Sequence, residues 1–234
     1  MRQPTKNSNP PSPAGTALII LAAGTSTRLG KPKQLLPFRG RSLLRHAAET
    51  ALASVCRPAV VVLGAGEQQL RTELSGLPVT VTLNPAWAEG MASSIRAGLG
   101  TVTSEANDPD CVVIMLCDQP LITAETLDEL VKVHRKENQG IVACEYEDTL
   151  GVPALFSREY FSELAGLAGD EGARKIILKH NKNLSRIPAP EAAFDVDRLE
   201  QAARLEALGQ AGWSNQTVEG EGMDLPRRST FKDI

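Results

Sequence analysis

Glycines and cations follow the first apolar run of the chain, residues 17–23. They are Gly24, Arg28, Gly30, Lys31 and Lys33. Glycine lets backbone N–H groups approach an anion closely. Arginine then binds phosphate oxygens as a planar fork, and lysine binds them as a point charge. We therefore predict that Arg28 and Lys33 neutralise a phosphate group; a glycine-rich turn with solvated charges is the alternative.

Two familiar motifs do not account for this loop. The spacing from Gly24 to Gly30 is one residue too long for a P-loop, and Pro32 stands where that motif needs Ser or Thr for magnesium. Ser26 is not a nucleophile-elbow serine either, because Arg28 occupies the position of the second glycine. The loop therefore predicts anion binding without either of these reactions.

An acid follows a second apolar run. Residues 111–116 are apolar and lead to Asp118. Magnesium prefers one or two carboxylates together with phosphate oxygens of the substrate, so Asp118 is predicted to be a magnesium ligand, with a turn acid as the alternative. Asp195 and Asp197 alternate late in the chain. Asp197 could be a second ligand, or it could cap a helix, because Glu200 follows three residues later in a capping-box pattern.

Segments with the patterns of β-strands and of α-helices surround these residues. Short β-rich apolar runs alternate with amphipathic helical stretches. The predicted strands are 17–23, 59–63, 79–83, 111–116, 140–145 and 152–156. This alternation predicts an α/β fold with a doubly wound, mainly parallel sheet and helices on both faces. Such sheets bind ligands beyond the carboxyl ends of their strands, which is where the loop at 24–33 and Asp118 fall.

The composition predicts one globular domain with two polar ends. Residues 1–15 contain four prolines and are predicted to be a disordered arm. Residues 16–210 are predicted to form the domain, and residues 211–234 a polar tail. Apolar residues make up 42% of the chain, which excludes wholesale disorder. The run at 17–23 spans only seven residues, far short of the roughly 20 that cross a bilayer.

The charge distribution also favours an anion site near the start of the chain. The net charge of −3 suggests no nucleic-acid partner. Residues 1–48 carry eight Lys or Arg and no acid, whereas the remainder carries 17 basic and 28 acidic residues. A solvated basic arm would give the same imbalance, so charge alone leaves both interpretations open.

Two other kinds of site are not supported. The four cysteines form no CxxC pair and the three histidines no short ligand pair, so a zinc site is not predicted. Unpaired thiols fit a reducing cytoplasm. The Gly64-Ala65-Gly66 segment lacks the third glycine of a dinucleotide fingerprint, because Gln69 stands there.

Four motifs together resemble the nucleotidyltransferases of the molybdenum cofactor, and most closely the cytidylyltransferases. The motifs are LAAGTSTRLGKPKQLLP at 21–37, NPAWAEGMASSIRAGL at 84–99, CDQPL at 117–121, and GVPALF with GDEGAR at 151–156 and 169–174. The resemblance covers about residues 17–208 and implies a Rossmann-like nucleotidyltransferase fold and a Mg²⁺-dependent enzyme. One motif departs from the family, because the usual DxDTPED here reads DVDRLE.

The resemblance also implies a role for individual residues. The nucleotide would be bound by Leu21, Ala22, Ala23, Gly24, Arg28, Lys33, Gly90, Met91, Ser94 and Asp118. Catalysis would rest on Lys33, Arg28 and Asp118, and the metal on Asp118 and Asp197. The acceptor would lie beside Gly151, Pro153, Asp170, Gly172 and Arg174.

The implied reaction is transfer of CMP from CTP to the terminal phosphate of the molybdenum cofactor, molybdopterin, with release of pyrophosphate. In such families LAAG accompanies cytidylyl transfer and LAGG guanylyl transfer, so Ala23 favours CTP over GTP. The resemblance also implies an apo-molybdoenzyme of the xanthine dehydrogenase type as a partner. The alternatives are guanylyl or other nucleotidyl transfer, to this cofactor or to a sugar or alcohol phosphate, and a non-catalytic cofactor-delivery protein.

Overall fold

The computed structural model describes residues 15–25, 32–104, 108–196, 201 and 204–205. The strands in this part are β1 (Thr16–Leu21), β2 (Pro37–Phe38), β3 (Arg41–Ser42), β4 (Ala59–Leu63), β5 (Thr80–Leu83), β6 (Cys111–Leu116), β7 (Ile141–Tyr146), β8 (Thr149–Ser157) and β9 (Ser185–Pro188). The α-helices are α1 (Leu43–Ala53), α2 (Glu67–Glu73), α3 (Met91–Ser104), α4 (Ala124–Glu137), α5 (Phe161–Ala165) and α6 (Arg174–Lys179).

Seven strands form one sheet in the order β5-β4-β1-β6-β8-β7-β9. Every neighbouring pair is parallel except those that include β8. β1 lies between β4 and β6, and its last residue, Leu21, is in register with Val62 and Leu116. The predicted fold class is thus confirmed, and the carboxyl ends of three central strands meet at one edge.

The core lies on both faces of this sheet. The side chains of β1 alternate between two apolar clusters because successive residues of a strand point to opposite faces. Leu18 and Ile20 belong to a cluster that includes residues of α1, α2 and α4. Ile19 belongs to a second cluster, with residues of α3, α5 and α6. A central strand buried on both faces has to be apolar throughout, and for this reason it was visible in the sequence.

The helix that follows the CDQP motif begins where the sequence predicted. Thr123 is its N-cap, and the Thr123 hydroxyl accepts a hydrogen bond from the Thr126 amide at 3.4 Å. Asn138 ends the helix in the left-handed conformation. These two local signals set the length of α4, which covers the sheet next to β7 and β8.

Several elements differ from the sequence prediction. The strand predicted at 152–156 extends over all of β8 and forms an antiparallel hairpin with β7. The two-residue strands β2 and β3 were not predicted, because strands this short leave no periodic pattern, and the edge strand β9 was not predicted either. The helix predicted from Asp197 begins outside the described residues, as do most of the predicted arm and the whole predicted tail. Among the described helices, none combines the length and apolarity that a membrane crossing requires.

Candidate active site

Lys33 and Asp118 meet beyond the carboxyl ends of β1 and β6. The Cys117 amide donates to the Leu21 carbonyl at 3.3 Å, which continues the pairing of the two strands up to Asp118. Lys33 opens a short 3₁₀ turn, Lys33–Leu35, and its Nζ forms an ion pair with Asp118 Oδ2. The side chains are only 19% and 9% exposed. A charged pair so far removed from water requires each partner to neutralise the other.

Gln34 holds the base of the glycine-rich loop. Its Nε2 donates to the carbonyls of Ala22 at 2.9 Å and Gly24 at 2.7 Å. Gln34 is almost fully buried, so these bonds satisfy an amide that would otherwise be costly to bury. The glutamine therefore links the end of β1 to the turn that carries Lys33. Our sequence analysis missed it, although it stands next to Lys33 within the motif at 21–37.

The late acidic segment approaches Asp118 through its backbone. The Val196 amide donates to the Asp118 carbonyl at 3.1 Å, and the Val196 side chain is fully buried. Asp195 accepts a hydrogen bond from Gln201 Nε2 at 3.2 Å. Asp197, the predicted second ligand, follows directly but lies outside the described residues, as does Arg28.

A divalent cation fits the chemistry of this corner. Asp118 offers carboxylate oxygens at the end of a central strand, and the acidic segment runs beside it. Magnesium is usually held by one or two protein carboxylates and completed by substrate phosphates and water. The described residues contain no group of three or more His, Cys, Asp or Glu side chains that could hold a metal ion.

The resemblance places Gly90, Met91 and Ser94 beside the base of the nucleotide, and these residues lie at the start of α3. Gly90 has φ 109°, a conformation that favours glycine. Met91 is among the most exposed large apolar side chains of the described residues. Ser94, in contrast, is buried, and its Oγ accepts a hydrogen bond from Asn84 Nδ2 at 3.0 Å. Its contact with a base therefore stays a prediction.

The residues predicted to face the acceptor divide between two places. Asp170 and Gly172 lie in the turn before α6, beside Gly90 and Met91. Gly151 and Pro153 belong to the other place, the β7–β8 hairpin, and Arg174, the first residue of α6, reaches this hairpin with its side chain. Pro153 is buried within β8.

Local contacts explain two residues of this hairpin group. A Cβ at Gly151 would overlap the Tyr146 hydroxyl, so this glycine makes room for the tyrosine. Arg174 donates to the Thr149 hydroxyl. Gly151 and Arg174 thus have structural contacts of their own, and their roles toward an acceptor stay predictions.

Gln119 connects the hairpin to Asp118. Its Nε2 donates to the Val152 carbonyl at 3.0 Å and to the Ala192 carbonyl at 2.9 Å. The residue next to the predicted metal ligand thus fixes β8 and the segment that leads to Asp195.

A buried histidine supports the turn after Asp118. His46 Nε2 donates to the Pro120 carbonyl at 2.9 Å, and its ring meets Phe38 edge to face. Burial lowers the pKa of His46 below its ordinary value, partly offset by this hydrogen bond. The thiol of Cys117, the residue before Asp118, is also held in its neutral form, because burial raises the pKa of Cys117 to about 12. His46 and Cys117 therefore support the site without charge.

Comparison with known proteins identifies a family that matches this chain. The pattern of the MobA-like NTP transferase domain matches residues 18–184. Nicotine blue oxidoreductase of Paenarthrobacter nicotinovorans is 33% identical over 199 residues, which cover 80% of this chain and 94% of that protein.

Solved structures agree with this family match. A homolog of Rv0371c from Mycobacterium sp. strain JC1 has a TM-score of 0.71 and 30% identity, over 82% of this chain and 96% of that chain. Rv0371c of Mycobacterium tuberculosis in complex with manganese has a TM-score of 0.68 and 29% identity, over 82% and 97%.

Proposed function

The chain belongs to the MobA-like NTP transferase domain family and is a nucleotidyltransferase, and we propose that it transfers CMP from CTP to the terminal phosphate of a molybdopterin-type cofactor. The observation that carries this proposal is the pairing of Lys33 with Asp118. A cation for phosphate oxygens and a carboxylate for a divalent metal lie in contact at one sheet edge. Phosphoryl-centre chemistry needs this combination, because it depends on positioning and charge neutralisation.

The reaction needs no general base. A phosphate monoester has a second pKa near ~6, so the terminal phosphate of the acceptor is already ionised at neutral pH. Its oxygen attacks the α-phosphorus of CTP, the bond from that phosphorus to the β-phosphate oxygen breaks, and pyrophosphate leaves. Lys33 neutralises the charge that develops on the departing pyrophosphate, and Arg28 is proposed to assist it.

A divalent metal, proposed to be Mg²⁺, would bind Asp118, with Asp197 as a second ligand. Bound there, it would supply positive charge to the phosphate oxygens. The manganese complex of the mycobacterial relative supports a divalent metal. Asp118 would orient the ion, and the hydrogen bond from the Val196 amide to the Asp118 carbonyl holds the acidic segment close to Asp118.

Ala23 supports CTP as the donor. It is the second alanine of the LAAG sequence that accompanies cytidylyl transfer in the families this chain resembles. Its side chain is buried, and its Cβ would lie 2.8 Å from a Cβ placed at Gly64. The methyl group thus occupies the space between the ends of β1 and β4. GTP, as the donor of the same reaction, is the alternative.

The acceptor is proposed to lie along the β7–β8 hairpin and the turn before α6. The acidic stretch at 145–148 argues against an anionic acceptor, but part of its charge is neutralised. Glu145 forms an ion pair with Arg186 at 3.0 Å. Gly151, Pro153, Asp170, Gly172 and Arg174 are the residues proposed to border the acceptor. A sugar or alcohol phosphate is the alternative substrate class.

We also propose a cytoplasmic enzyme that passes its product to an apo-molybdoenzyme of the xanthine dehydrogenase type. The four free, buried cysteines Cys56, Cys111, Cys117 and Cys144 support a reducing compartment. A protein that delivers the cofactor without chemistry is the alternative, and the presence of both Lys33 and Asp118 argues against it.

The name of the Paenarthrobacter relative favours a second candidate, an oxidoreductase. The Lys33–Asp118 pair supports the transferase instead. Hydride transfer does not require a carboxylate that binds a metal beside a cation that binds phosphate. The two activities can be separated in one assay.

Pyrophosphate release with each of four nucleoside triphosphates and Mg²⁺, with and without molybdenum cofactor, tests the proposal. Release that needs both CTP and the cofactor is the expected result. Release with another triphosphate would overturn CTP as donor, and release without the cofactor would overturn the acceptor. With a reduced nicotinamide added to the same mixture, its consumption without any pyrophosphate release would favour the oxidoreductase.

A further inference from the structure

A buried hydrogen-bond chain runs from Asn84 to Gly90. Asn84 Nδ2 donates to Ser93 Oγ at 2.8 Å, and Ser93 Oγ donates in turn to the Gly90 carbonyl at 2.8 Å. Asn84 and Ser93 are only 3% and 4% exposed. A buried chain of this kind is expensive to break, because each member would leave an unsatisfied polar group. The chain therefore holds Gly90 in a fixed position.

Asn84 is anchored to the sheet. Its backbone amide donates to the Leu63 carbonyl at the end of β4, at 2.8 Å. Its Oδ1 accepts a hydrogen bond from the Ala86 amide at 3.0 Å, and the second N–H of its side chain reaches Ser94 Oγ. All polar groups of this side chain are engaged, so Asn84 has one conformation available to it.

The other end of this hydrogen-bond chain, at Gly90, lies against the turn before α6. The Ala92 amide donates to the Gly169 carbonyl at 3.1 Å. A Cβ at Gly90 would collide with the backbone of Gly169 and would lie 2.6 Å from Asp170 Oδ1. The backbones of the two turns are therefore in direct contact, and the position of Gly90 determines the position of Gly169 and Asp170.

We infer that Asn84 and Ser93 are positioning residues that align the acceptor side of the site with the donor side. The inference rests on the proposed function, in which Gly90 lies beside the nucleotide and Asp170 beside the acceptor. In-line transfer requires both substrates in one geometry, and a misplacement of about 1 Å can cost on the order of 10²-fold in rate. Loss of this hydrogen-bond chain should therefore slow turnover more than it weakens nucleotide binding.

Ser93→Ala tests this alignment, with Thr101→Val as its matched control. Thr101 also lies on α3, bonds to a side chain of β5, Thr82, and donates to a backbone carbonyl, but it lies far from the turn. We expect Ser93→Ala to lower kcat by about tenfold or more and to change the KM for CTP by less than about threefold. Thr101→Val should keep both values, and Ser93→Thr, which retains the hydroxyl, should recover most of kcat.

Two kinetic results would overturn the inference. One is a Ser93→Ala enzyme that behaves like Thr101→Val. The other is an effect confined to the KM for CTP with kcat intact, which would make Ser93 part of the nucleotide site alone.

Hydrogen exchange provides a readout that needs no substrate. In Ser93→Ala, the amides of residues 90–92 and 169–172 should exchange about tenfold faster than in the wild type, because their mutual contact is loosened. In Thr101→Val these amides should keep their wild-type rates. Unchanged exchange in Ser93→Ala would overturn the inference even if the enzyme uses CTP. Faster exchange in a protein that transfers no nucleotide would retain the coupling of the turns and reject the proposed function.

Discussion

Lys33 and Asp118 are 85 positions apart and form an ion pair in a largely buried site. The ammonium group lies against Oδ2 of the carboxylate, an atom that a divalent cation bound to Asp118 would also approach. A metal bound to this oxygen would require the ammonium group to move away, which the flexible stem of lysine permits. The pair therefore relates the phosphate-binding and the metal-binding functions proposed for this corner.

Replacement of Lys33 by Met should remove most of the activity. The substitution keeps most of the length of the side chain and deletes the charge proposed to neutralise the departing pyrophosphate, so we expect a loss on the order of 10²–10³ in kcat. Pyrophosphate release measures it. Lys132→Met, which deletes an exposed cation of α4 paired with Glu129, is the control. A Lys33→Met protein with more than half of the wild-type rate would contradict the assignment.

Metal binding without nucleotide should respond to the two partners in opposite directions. Asp118→Asn should weaken Mn²⁺ binding, measured by electron paramagnetic resonance, because it removes the ligand charge. Lys33→Met should strengthen it by about tenfold or more, because a unit charge about 4 Å away is worth roughly 1–4 kcal/mol in these surroundings.

The metal experiment also separates two failures. If Asp118→Asn leaves Mn²⁺ affinity unchanged, Asp118 is not a ligand. If Asp118→Asn abolishes Mn²⁺ binding while Lys33→Met leaves the Mn²⁺ affinity unchanged, Asp118 is a ligand but the Lys33 ammonium does not compete with the metal. Lys132→Met serves again as the control for deletion of a remote charge.

Gly90, which precedes α3, and Gly100, within that helix, should respond differently to alanine. Gly90→Ala should destabilise the fold by roughly 1–3 kcal/mol, because residue 90 has a positive φ and no room for a Cβ beside Gly169. Gly100→Ala, within α3 and with nothing near its Cβ position, should stabilise by about 0.5–1 kcal/mol. Chemical denaturation measures both. Equal changes in the free energy of unfolding would refute the close packing at Gly90.

The stability of the fold should fall between neutral and mildly acidic pH because of His46. Its folded pKa is lowered, mainly by burial, so the unfolded chain binds a proton near its ordinary pKa of about 6.5 while the folded protein does not. The contribution of neutral His46 to the free energy of unfolding is therefore fully present above the unfolded pKa and is lost as pH falls below it. Urea unfolding at pH 7.5 and pH 5.5 measures the loss.

His46→Gln is the matched variant for this pH dependence. The glutamine amide can still donate to the Pro120 carbonyl but does not titrate in this range. The difference in unfolding free energy between the two pH values should be smaller in the variant. An equal difference in both proteins would assign the effect to other groups.

The sequence determined the elements whose composition is dictated by complete burial. β1, β4 and β6 are buried on both faces, and their apolar runs predicted them within about two residues. The same reasoning placed Asp118 at a carboxyl end, and the type and position of Lys33 predicted a phosphate ligand, which stays a prediction. These are local properties, because burial and turn formation constrain each segment by itself.

Only the tertiary structure decided which segments meet. Nothing in the local pattern connects Lys33 with Asp118, Val196 with Asp118, or Gly90 with Gly169. These contacts depend on the order of strands in the sheet, which brings distant segments to one edge. Nor does periodicity distinguish the antiparallel β8 from a parallel strand, because both are buried apolar runs. The hydrogen-bond chain from Asn84 through Ser93 was hidden for a further reason: its members are small polar residues, whose burial is permitted only by partners that the fold supplies.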